Sequence, residues 1–340
     1  MTFRPSRIRS ALLAAGLALL AGATHAQQVL LGVDTRLNRI WQLSPSDGSV
    51  LNNAFIVDAN SAATFDFQTP RAAIQVNNQI WVSDQSPSIN AIFRFDLSGS
   101  FLGRIGGNVT DGGLSNVRGM RVVGSEVLVV NAGTTNGAPG PAIVRYDFAG
   151  NRLGSFSTVA AGGTVGNSPW DVMAFGGGLL VSDGTSRGLQ RYALDGSYLG
   201  AFNSGINNIP QQMALRANGN LLMSANGSTP TGSFGLYEID GSTGAVLRQW
   251  TNTPGLGVRG VYELGNGQFL ISEAGGASTT RGLGTIDPAG PSNTSNFTLI
   301  AGSWNGGWIS PVTVVPEPET LLLWSAGLGL LLARRRITRC

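Results

Sequence analysis

A pattern of about 48 residues repeats along this chain, and it limits the fold more than any other feature. The clearest copy spans residues 70–103, where four short runs of apolar, β-branched and aromatic residues are separated by Asn, Gly and Ser. Such runs, with turn residues between them, predict four β-strands. A glycine marks the turn after the third run of every copy, at successive spacings of 51, 51, 46, 45 and 49 residues: Gly48, Gly99, Gly150, Gly196, Gly241 and Gly290.

Six copies of a four-stranded unit predict an all-β fold, a six-bladed β-propeller with four-stranded blades. The first copy lacks its innermost strand. A stretch that resembles this strand, 308–314, follows the last copy and could complete the first blade. An open β-solenoid is the alternative, although its repeat is normally shorter. The propeller is therefore predicted over residues 27–314.

Two short motifs recur among the copies. Several second strands end in Val-Ser-Asp, as at 82–84 and 181–183, and a third strand runs into Arg-Phe-Asp-x-x-Gly at 94–99, with Tyr for Phe in other copies. Through these motifs the body resembles the NHL and gluconolactonase-like propeller families. The resemblance covers most of the body and implies the same six-bladed fold.

Residue composition excludes several kinds of catalytic site. The body, 27–315, holds 15 arginines and 17 acidic residues, a formal charge of −2, and the chain has no lysine. The single His and the single Cys, His25 and Cys340, lie outside the body. A Ser-His-Asp or Cys-His arrangement, a His/Cys zinc site and a Schiff-base lysine are thus excluded there. The basic isoelectric point comes from the chain ends and gives no support for nucleic-acid binding.

The N-terminus predicts a secretory signal peptide over residues 1–26. Three arginines lie within the first nine residues, 11–22 is apolar, and Ala23-Thr24-His25-Ala26 offers small residues for cleavage. A retained N-terminal anchor is the alternative, but the apolar run is short for a bilayer span.

The last segment, 315–340, carries a second targeting pattern. A Val-Pro-Glu-Pro motif precedes about 14 mostly apolar residues, whose helix would rise about 21 Å and fall short of a normal span. Arginines after the helix can reach the headgroups and favour the cytoplasmic side. The tail therefore predicts a C-terminal transmembrane helix, with a buried core helix as the alternative. The residues of the sorting motif are Val315, Pro316, Glu317, Pro318, Arg334, Arg335 and Arg336.

This combination resembles the PEP-CTERM sorting signal of exported proteins in Gram-negative, polysaccharide-secreting bacteria. The resemblance implies an exosortase, a membrane protease-transpeptidase, as a partner and the inner membrane as a transient one. It also implies release or transfer to the cell envelope or extracellular matrix, where an exopolysaccharide or another envelope protein is a candidate partner. The Arg339-Cys340 ending departs from the family, which usually stops near its arginines.

Acidic residues end the second strands of four copies and are candidate metal ligands. A ring of oxygen ligands near a propeller axis could hold Ca²⁺, and metal-dependent lactonases of related fold use Glu, Asn and Asp in this way. The alternative is structural, with each acid bonding its own loop or pairing with an arginine of the next strand. The four residues are Asp34, Asp84, Asp183 and Glu273, with Asn131 and Ala225 in equivalent places.

Polar residues near the start of the first strands are candidate ligand-binding residues. First strands line the central channel of a propeller, and three arginines there would suit an anionic sugar or a carboxylate. A solvated channel without a dedicated ligand is the alternative. The residues are Arg71, Arg118, Asp171, Gln211 and Arg259.

Two tryptophans in a Gly- and Asn-rich segment, Trp304 and Trp308, are a further candidate. If exposed, their rings could stack on sugars; the alternative is that they pack under the closing strand. Taken together, the sequence favours an exported, C-terminally sorted propeller that acts as a binding or structural protein without catalysis or cofactor. The alternative is a Ca²⁺-dependent, lactonase-like hydrolase that uses the acidic strand ends.

Overall fold

The computed structural model describes residues 27–58, 65–107, 113–160, 163, 165–204, 206, 208–227, 235–251, 257–274, 279–280, 282–292 and 296–314. The compact body is Val29–Val312. The predicted signal peptide (1–26) and sorting segment (315–340) lie outside the described residues. No helix within the described ranges is long and apolar enough to cross a membrane.

The described strands form six four-stranded antiparallel sheets, which we number as blades along the chain. Blade 2 consists of β4 (Pro70–Val76), β5 (Gln79–Asp84), β6 (Ala91–Asp96) and β7 (Phe101–Gly106). Blade 3 consists of β8 (Val117–Val123), β9 (Glu126–Asn131), β10 (Ala142–Tyr146) and β11 (Arg152–Ser157). Blade 4 consists of β12 (Pro169–Phe175), β13 (Gly178–Asp183), β14 (Gly188–Tyr192) and β15 (Tyr198–Asn203).

The remaining blades follow the same plan. Blade 5 consists of β16 (Ile209–Leu215), β17 (Leu221–Asn226), β18 (Gly235–Ile239) and β19 (Val246–Thr251). Blade 6 consists of β20 (Val258–Glu263), β21 (Phe269–Glu273), β22 (Gly282–Ile286) and β23 (Phe297–Gly302). The first strands of blades 2 to 6 contact one another in order around the ring, which makes them the innermost strands.

Blade 1 joins the two ends of the propeller. Its strands β1 (Gln27–Asp34), β2 (Arg39–Leu43) and β3 (Val50–Val57) come from the start, and β24 (Gly306–Val314) adds beside β1 from the end. The prediction that a stretch near 308–314 completes the first blade is therefore confirmed, as is the six-bladed, all-β fold.

Apolar side chains fill the space between neighbouring blades. Between blades 2 and 3, Trp81, Ile92, Met120 and Val144 are buried in one cluster. Fully burying an aliphatic or aromatic side chain of this size stabilises the fold by roughly 1.5–3 kcal/mol. Successive residues of an inner strand enter different clusters: in β9, Val127 and Val129 pack in the cluster between blades 2 and 3, and Leu128 and Val130 pack in the cluster with blade 4.

The turn between the third and fourth strands explains the Asp-x-x-Gly motif. In blade 2, Asp96 Oδ1 accepts the N–H groups of Ser98 at 2.9 Å and Ser100 at 2.8 Å. Gly99 has a φ of 90°, a conformation that other residues rarely adopt. The motif is therefore a structural signature of the turn, and its aspartate is not part of a binding site.

The middle of the channel is filled by side chains from the innermost strands. Trp308, in β24, is 3% exposed and reaches blade 3, where it lies against Gly119. Gln212, in β16, is 1% exposed, and its Oε1 accepts the N–H groups of Val261 and Ile309 at 3.0 Å each. The channel is therefore closed below its mouth.

Trp304 and Trp308 do not present an exposed face to a ligand, which corrects the interpretation that they could stack on sugar rings. Trp304 is 1% exposed, and its ring meets Trp41 edge-on with centroids 4.7 Å apart. It packs over Gly32 of β1, where a Cβ would lie 3.1 Å from the indole ring. Both tryptophans are core residues beside the closing strand.

Replacing Gly119 with alanine tests the contact that closes the channel. The new Cβ would run into the Trp308 ring and the Trp170 carbonyl oxygen. Overpacking of this kind typically costs about 1–3 kcal/mol. We expect the free energy of unfolding, measured by urea denaturation, to fall by about this amount. In a Trp308→Leu background the same substitution should cost clearly less, and equal losses in the two backgrounds would contradict the contact.

Candidate functional site

Three arginines occupy equivalent places at the mouth of the channel. Arg71, Arg118 and Arg259 are each the second residue of an innermost strand, in blades 2, 3 and 6. At this point the pairing between the first and second strands shifts register in each of these blades. Such a β-bulge re-aims the side chain it carries. The bulge therefore sets the direction of all three arginines.

A serine of the second strand compensates for the broken ladder. Ser83 Oγ accepts the N–H of Ala72 at 3.1 Å and donates to the carbonyl oxygen of Arg118, in the next blade, at 2.7 Å. Three further serines make the same bond to the next blade: Ser182 to Gln211 at 2.8 Å, Ser224 to Arg259 at 2.7 Å, and Ser272 to Gly307. The main chain beneath Arg118 and Arg259 is thus held by the preceding blade.

The guanidinium of Arg118 is fixed against the start of blade 4. Its Nη1 donates to the carbonyl oxygen of Pro169 at 2.6 Å and to Ser168 Oγ at 3.0 Å. Its Cζ lies 3.7 Å from the centroid of the Trp170 ring, a cation–π contact. Arg118 is 7% exposed, so these contacts replace most of its water.

Arg259 and Arg71 are held by fewer groups. Arg259 Nη1 donates to Asn305 Oδ1 at 3.0 Å and to the carbonyl oxygen of Gly306 at 3.4 Å. Arg71 Nε donates to Gln85 Oε1, while its buried Nη1 has no hydrogen-bond partner among the described residues. Arg71 therefore has one donor that no described protein group satisfies.

The charges of Arg118 and Arg259 act on Arg71. Burial, and then the charges of Arg259 and Arg118, lower the pKa of Arg71 to about 9. Burial lowers the pKa of Arg118 to about 9 and that of Arg259 to about 10. All three stay protonated at neutral pH, and none takes part in an ion pair within the described part of the chain. We call this group the arginine cluster; Asp84 acts on Arg71 and Asp183 on Arg118 without forming an ion pair, and three positive charges in one place suit an anion.

Asp171 does not belong to the cluster, which corrects its assignment as a ligand-binding residue. In blade 4 the place of the arginines is taken by Trp170, and Asp171 is the next residue, fully buried. Its Oδ2 accepts Arg121 Nη2 at 3.1 Å and the N–H of Met213 at 2.9 Å. Burial raises the pKa of Asp171, while Arg121 opposes the rise. Asp171 therefore joins blades 3, 4 and 5.

Gln211 does share the position of the arginines, in blade 5. It is 1% exposed, and its Nε2 has no hydrogen-bond partner among the described residues. It is a second buried donor at this level of the channel that the protein leaves unused.

The acidic strand ends hold loops together. In blade 2, Asp84 accepts the N–H groups of Gln68 at 2.8 Å, Thr69 at 3.0 Å and Ser86 at 2.9 Å. These bonds tie the loop before β4 to the loop after β5. Burial raises the pKa of Asp84, and the same N–H groups oppose the rise.

The acidic residues at the other strand ends also accept backbone N–H groups in their own blades. Asp34 accepts the N–H groups of Arg36 and Leu37, Asp183 those of Gly166, Ser168 and Ser186, and Glu273 that of Gly282. No three His, Cys, Asp or Glu of the described ranges are grouped so that they could hold a metal ion. The structure thus contradicts a calcium ring built from Asp34, Asp84, Asp183 and Glu273.

Sequence reasoning missed the polar groups that support the arginine cluster. Gln85 Nε2 donates to Asn116 Oδ1, which also accepts Arg118 Nε at 3.4 Å. Together with the bond from Arg71 to Gln85, this forms an amide bridge between two arginines. The serine of the Val-Ser-Asp motif was a visible signal for the inter-blade bond, but Gln85 and Asn116 lie in loops and carry no pattern.

The comparisons with known proteins bear on the fold. No protein-family model matches the chain, and no curated protein matches it. A protein of unknown function from Bacteroides caccae resembles it with a TM-score of 0.56 and 14% identity, over 84% of this chain and 98% of that one. A chain of a Nidogen/Laminin complex resembles it with a TM-score of 0.57 and 12% identity, over 84% of this chain and 98% of that one. The WD40 β-propeller domain of Doa1 resembles it with a TM-score of 0.50 and 13% identity, over 81% of this chain and 82% of that one. At such identities these likenesses support the propeller fold alone.

The raised pKa of Asp84 predicts a pH effect on stability. A carboxyl whose pKa is higher in the folded state stabilises the fold while protonated, so its contribution falls as the pH rises above the ordinary value of 3.8. Asp84→Asn keeps an acceptor oxygen but cannot ionise. We expect the melting temperature of the variant, relative to the parent, to rise between about pH 3 and about pH 7.

A half-exposed aspartate in a turn, Asp147, serves as a control of opposite sign. Hydrogen bonds from Asn151 lower the pKa of Asp147, so its ionised form stabilises the turn that it caps. The melting temperature of Asp147→Asn, relative to the parent, should therefore fall as the pH rises. The expectation for Asp84 is wrong if both variants show the same slope.

Proposed function

We propose that this protein is an exported β-propeller that binds an anionic ligand at the arginine cluster. The observation that carries the proposal is the placement of three guanidiniums at one level of a channel that is closed below them, that of Arg118 buried and those of Arg71 and Arg259 half-buried. Like charges that lower the pKa of a neighbour make the empty site unfavourable, and an anion relieves that repulsion.

Arginine chemistry decides the kind of anion. The planar guanidinium donates in parallel to carboxylate, sulfate or phosphate oxygens, and such charge-assisted bonds are stronger than neutral ones. The Nη1 of Arg71 and the Nε2 of Gln211 are buried donors without protein partners in the described structure.

Two observations favour binding over hydrolysis. The body contains no His, Cys or Lys to act as a base or nucleophile. The carboxylates that a lactonase-like mechanism would use to hold Ca²⁺ accept hydrogen bonds from loop N–H groups instead. The proposed role is therefore a binding or structural one.

The proposed location is the cell envelope or extracellular matrix of a Gram-negative bacterium. It rests on the signal-peptide pattern at 1–26 and on the Val-Pro-Glu-Pro tail at 315–340. In this proposal an exosortase-type membrane protease acts on the tail while the inner membrane holds the chain transiently. An acidic envelope polymer would then be within reach of the channel mouth.

Arginine substitutions test the binding site. We expect Arg71→Gln to weaken sulfate binding, followed by isothermal titration calorimetry, by about tenfold or more, since a hydrogen bond to a charged group contributes about 1.5–3 kcal/mol. The melting temperature without ligand should stay the same or rise, because the substitution removes a buried, repelled charge. The control is Arg104→Gln, an equal charge change at an exposed residue of the outermost strand β7.

The pH dependence of binding provides a second readout. Because the pKa values of the cluster are about 9, 9 and 10, affinity for sulfate should be constant near neutral pH and fall above pH 9. Equal affinities of the parent, Arg71→Gln and Arg104→Gln proteins would contradict the proposed function.

Mass spectrometry of the mature protein tests the export pathway. Expressed in a bacterium with an exosortase, the extracellular protein should begin at Gln27 and end near Pro316–Thr320. Replacing the Pro-Glu-Pro residues 316–318 with alanine should leave the chain uncut at this end. Extracellular protein that retains Cys340 would rule out processing of the tail.

A further inference from the structure

A polar cleft adjoins the arginine cluster between blades 2 and 3. It has a volume of about 630 Å³, within the range that holds small-molecule ligands. Its walls come from the loops at the channel mouth on both blades. The lining residues are Thr69, Arg71, Gln85, Ser86, Pro87, Asn90, Ser115, Asn116, Gly133, Thr134 and Thr135.

The chemistry of this lining is unusual for a ligand pocket. Five of the residues carry hydroxyls and three carry amides, and Arg71 is the only charged one. No aromatic or long aliphatic side chain lines the cleft, although such side chains dominate most small-molecule sites. A wall of donors and acceptors without a charge of its own suits a ligand rich in hydroxyl groups.

Hydrogen bonds hold the walls in place before any ligand arrives. Asn90 Oδ1 accepts the N–H of Asn116 at 2.7 Å, which joins the two blades across the cleft. Ser115 and Thr135 share a hydroxyl–hydroxyl bond of 2.6 Å. A preorganised cleft spends little free energy on ordering its side chains when it binds.

Arg71 belongs to both the cleft and the arginine cluster. Its Nε is taken by Gln85, which in turn bonds Asn116, so the amide bridge fixes the guanidinium at the border of the two sites. A single ligand can therefore place an anionic group among the arginines and the rest of its structure in the cleft.

We infer that the ligand is an acidic sugar, with its anionic substituent on the arginine cluster and its hydroxyl-bearing ring in the cleft. This inference rests on the proposed anion site and adds the chemical class of the ligand. Recognition of the ring depends on hydroxyl and amide groups of the cleft, such as those of Thr69 and Thr134. Neither charge nor hydroxyl groups alone give full affinity.

The test compares three probes that separate charge from hydroxyl groups. Trigalacturonate has both, its methyl ester keeps the hydroxyls without the charge, and tricarballylate has three carboxylates without a sugar. In titration calorimetry with the full propeller body we expect trigalacturonate to bind at least tenfold more tightly than tricarballylate. The methyl ester should bind more than tenfold more weakly than trigalacturonate. A sulfated galactose trisaccharide, run in parallel, identifies the anionic substituent that the cluster prefers.

Isosteric substitutions then assign the affinity to the cleft. Thr69→Val/Thr134→Val removes two hydroxyls with little change of shape, and it should weaken trigalacturonate binding about tenfold while leaving tricarballylate unchanged. Arg71→Gln should weaken both. Thr298→Val, at an exposed residue of β23, is the matched control and should change neither. If the double variant is unstable, Thr134→Val alone gives the same comparison.

Two results would contradict the acidic-sugar inference and the proposed anion site separately. If trigalacturonate and tricarballylate bind equally and the threonine variant changes nothing, the acidic-sugar inference is wrong while the anion site stands. If no anionic probe binds and Arg71→Gln has no effect, the proposed function and the inference both fail.

Discussion

The structure depends on how the innermost strands satisfy their backbone where the ladder breaks. Blades 2 to 6 all shift register at the mouth of the channel. A buried backbone group left without a partner costs about 1–3 kcal/mol, so each break needs compensation. In blades 2 and 4 a serine hydroxyl accepts a freed N–H, and in four blades the serine at this position donates to the next blade. One small side chain can therefore satisfy a backbone group that lost its partner in the sheet and also join two blades. Two of these serines, Ser83 and Ser224, bond the main-chain oxygens of Arg118 and Arg259.

The arginine cluster is a local departure from the rule that buried charges are paired. Asp84 and Asp183 act on Arg71 and Arg118 without pairing with them, because both hold loop N–H groups, and Asp171 has Arg121 as its partner. Neutral amides and carbonyl groups support the cluster instead, which leaves its net charge intact. Positive charges without an ion-pair partner are expected at a ligand-binding site.

The repeat predicted the number of blades, their four strands and the closure of blade 1, because strand runs and turn glycines are local signals. The site was predicted in part. Arg71, Arg118 and Arg259 share a position as expected, but the place of Asp171 depends on pairing with β13, which counting along the chain does not reveal. The burial of Trp308 depends on Gly119, two blades away, where the absence of a side chain makes room. Long-range complementarity of this kind leaves no pattern near either residue.

The closure of blade 1 also sets an order for folding. Thr35 in the loop after β1 bonds Asn305, 270 residues later, and β24 joins the sheet only from there. Contacts so distant in sequence form late, since the entropy of closing the loop has to be overcome first. The first strands to be synthesised therefore wait for the last one before their sheet is complete. Until β24 arrives the ring is open, and the edge of β1 offers unpaired N–H and C=O groups to any other strand.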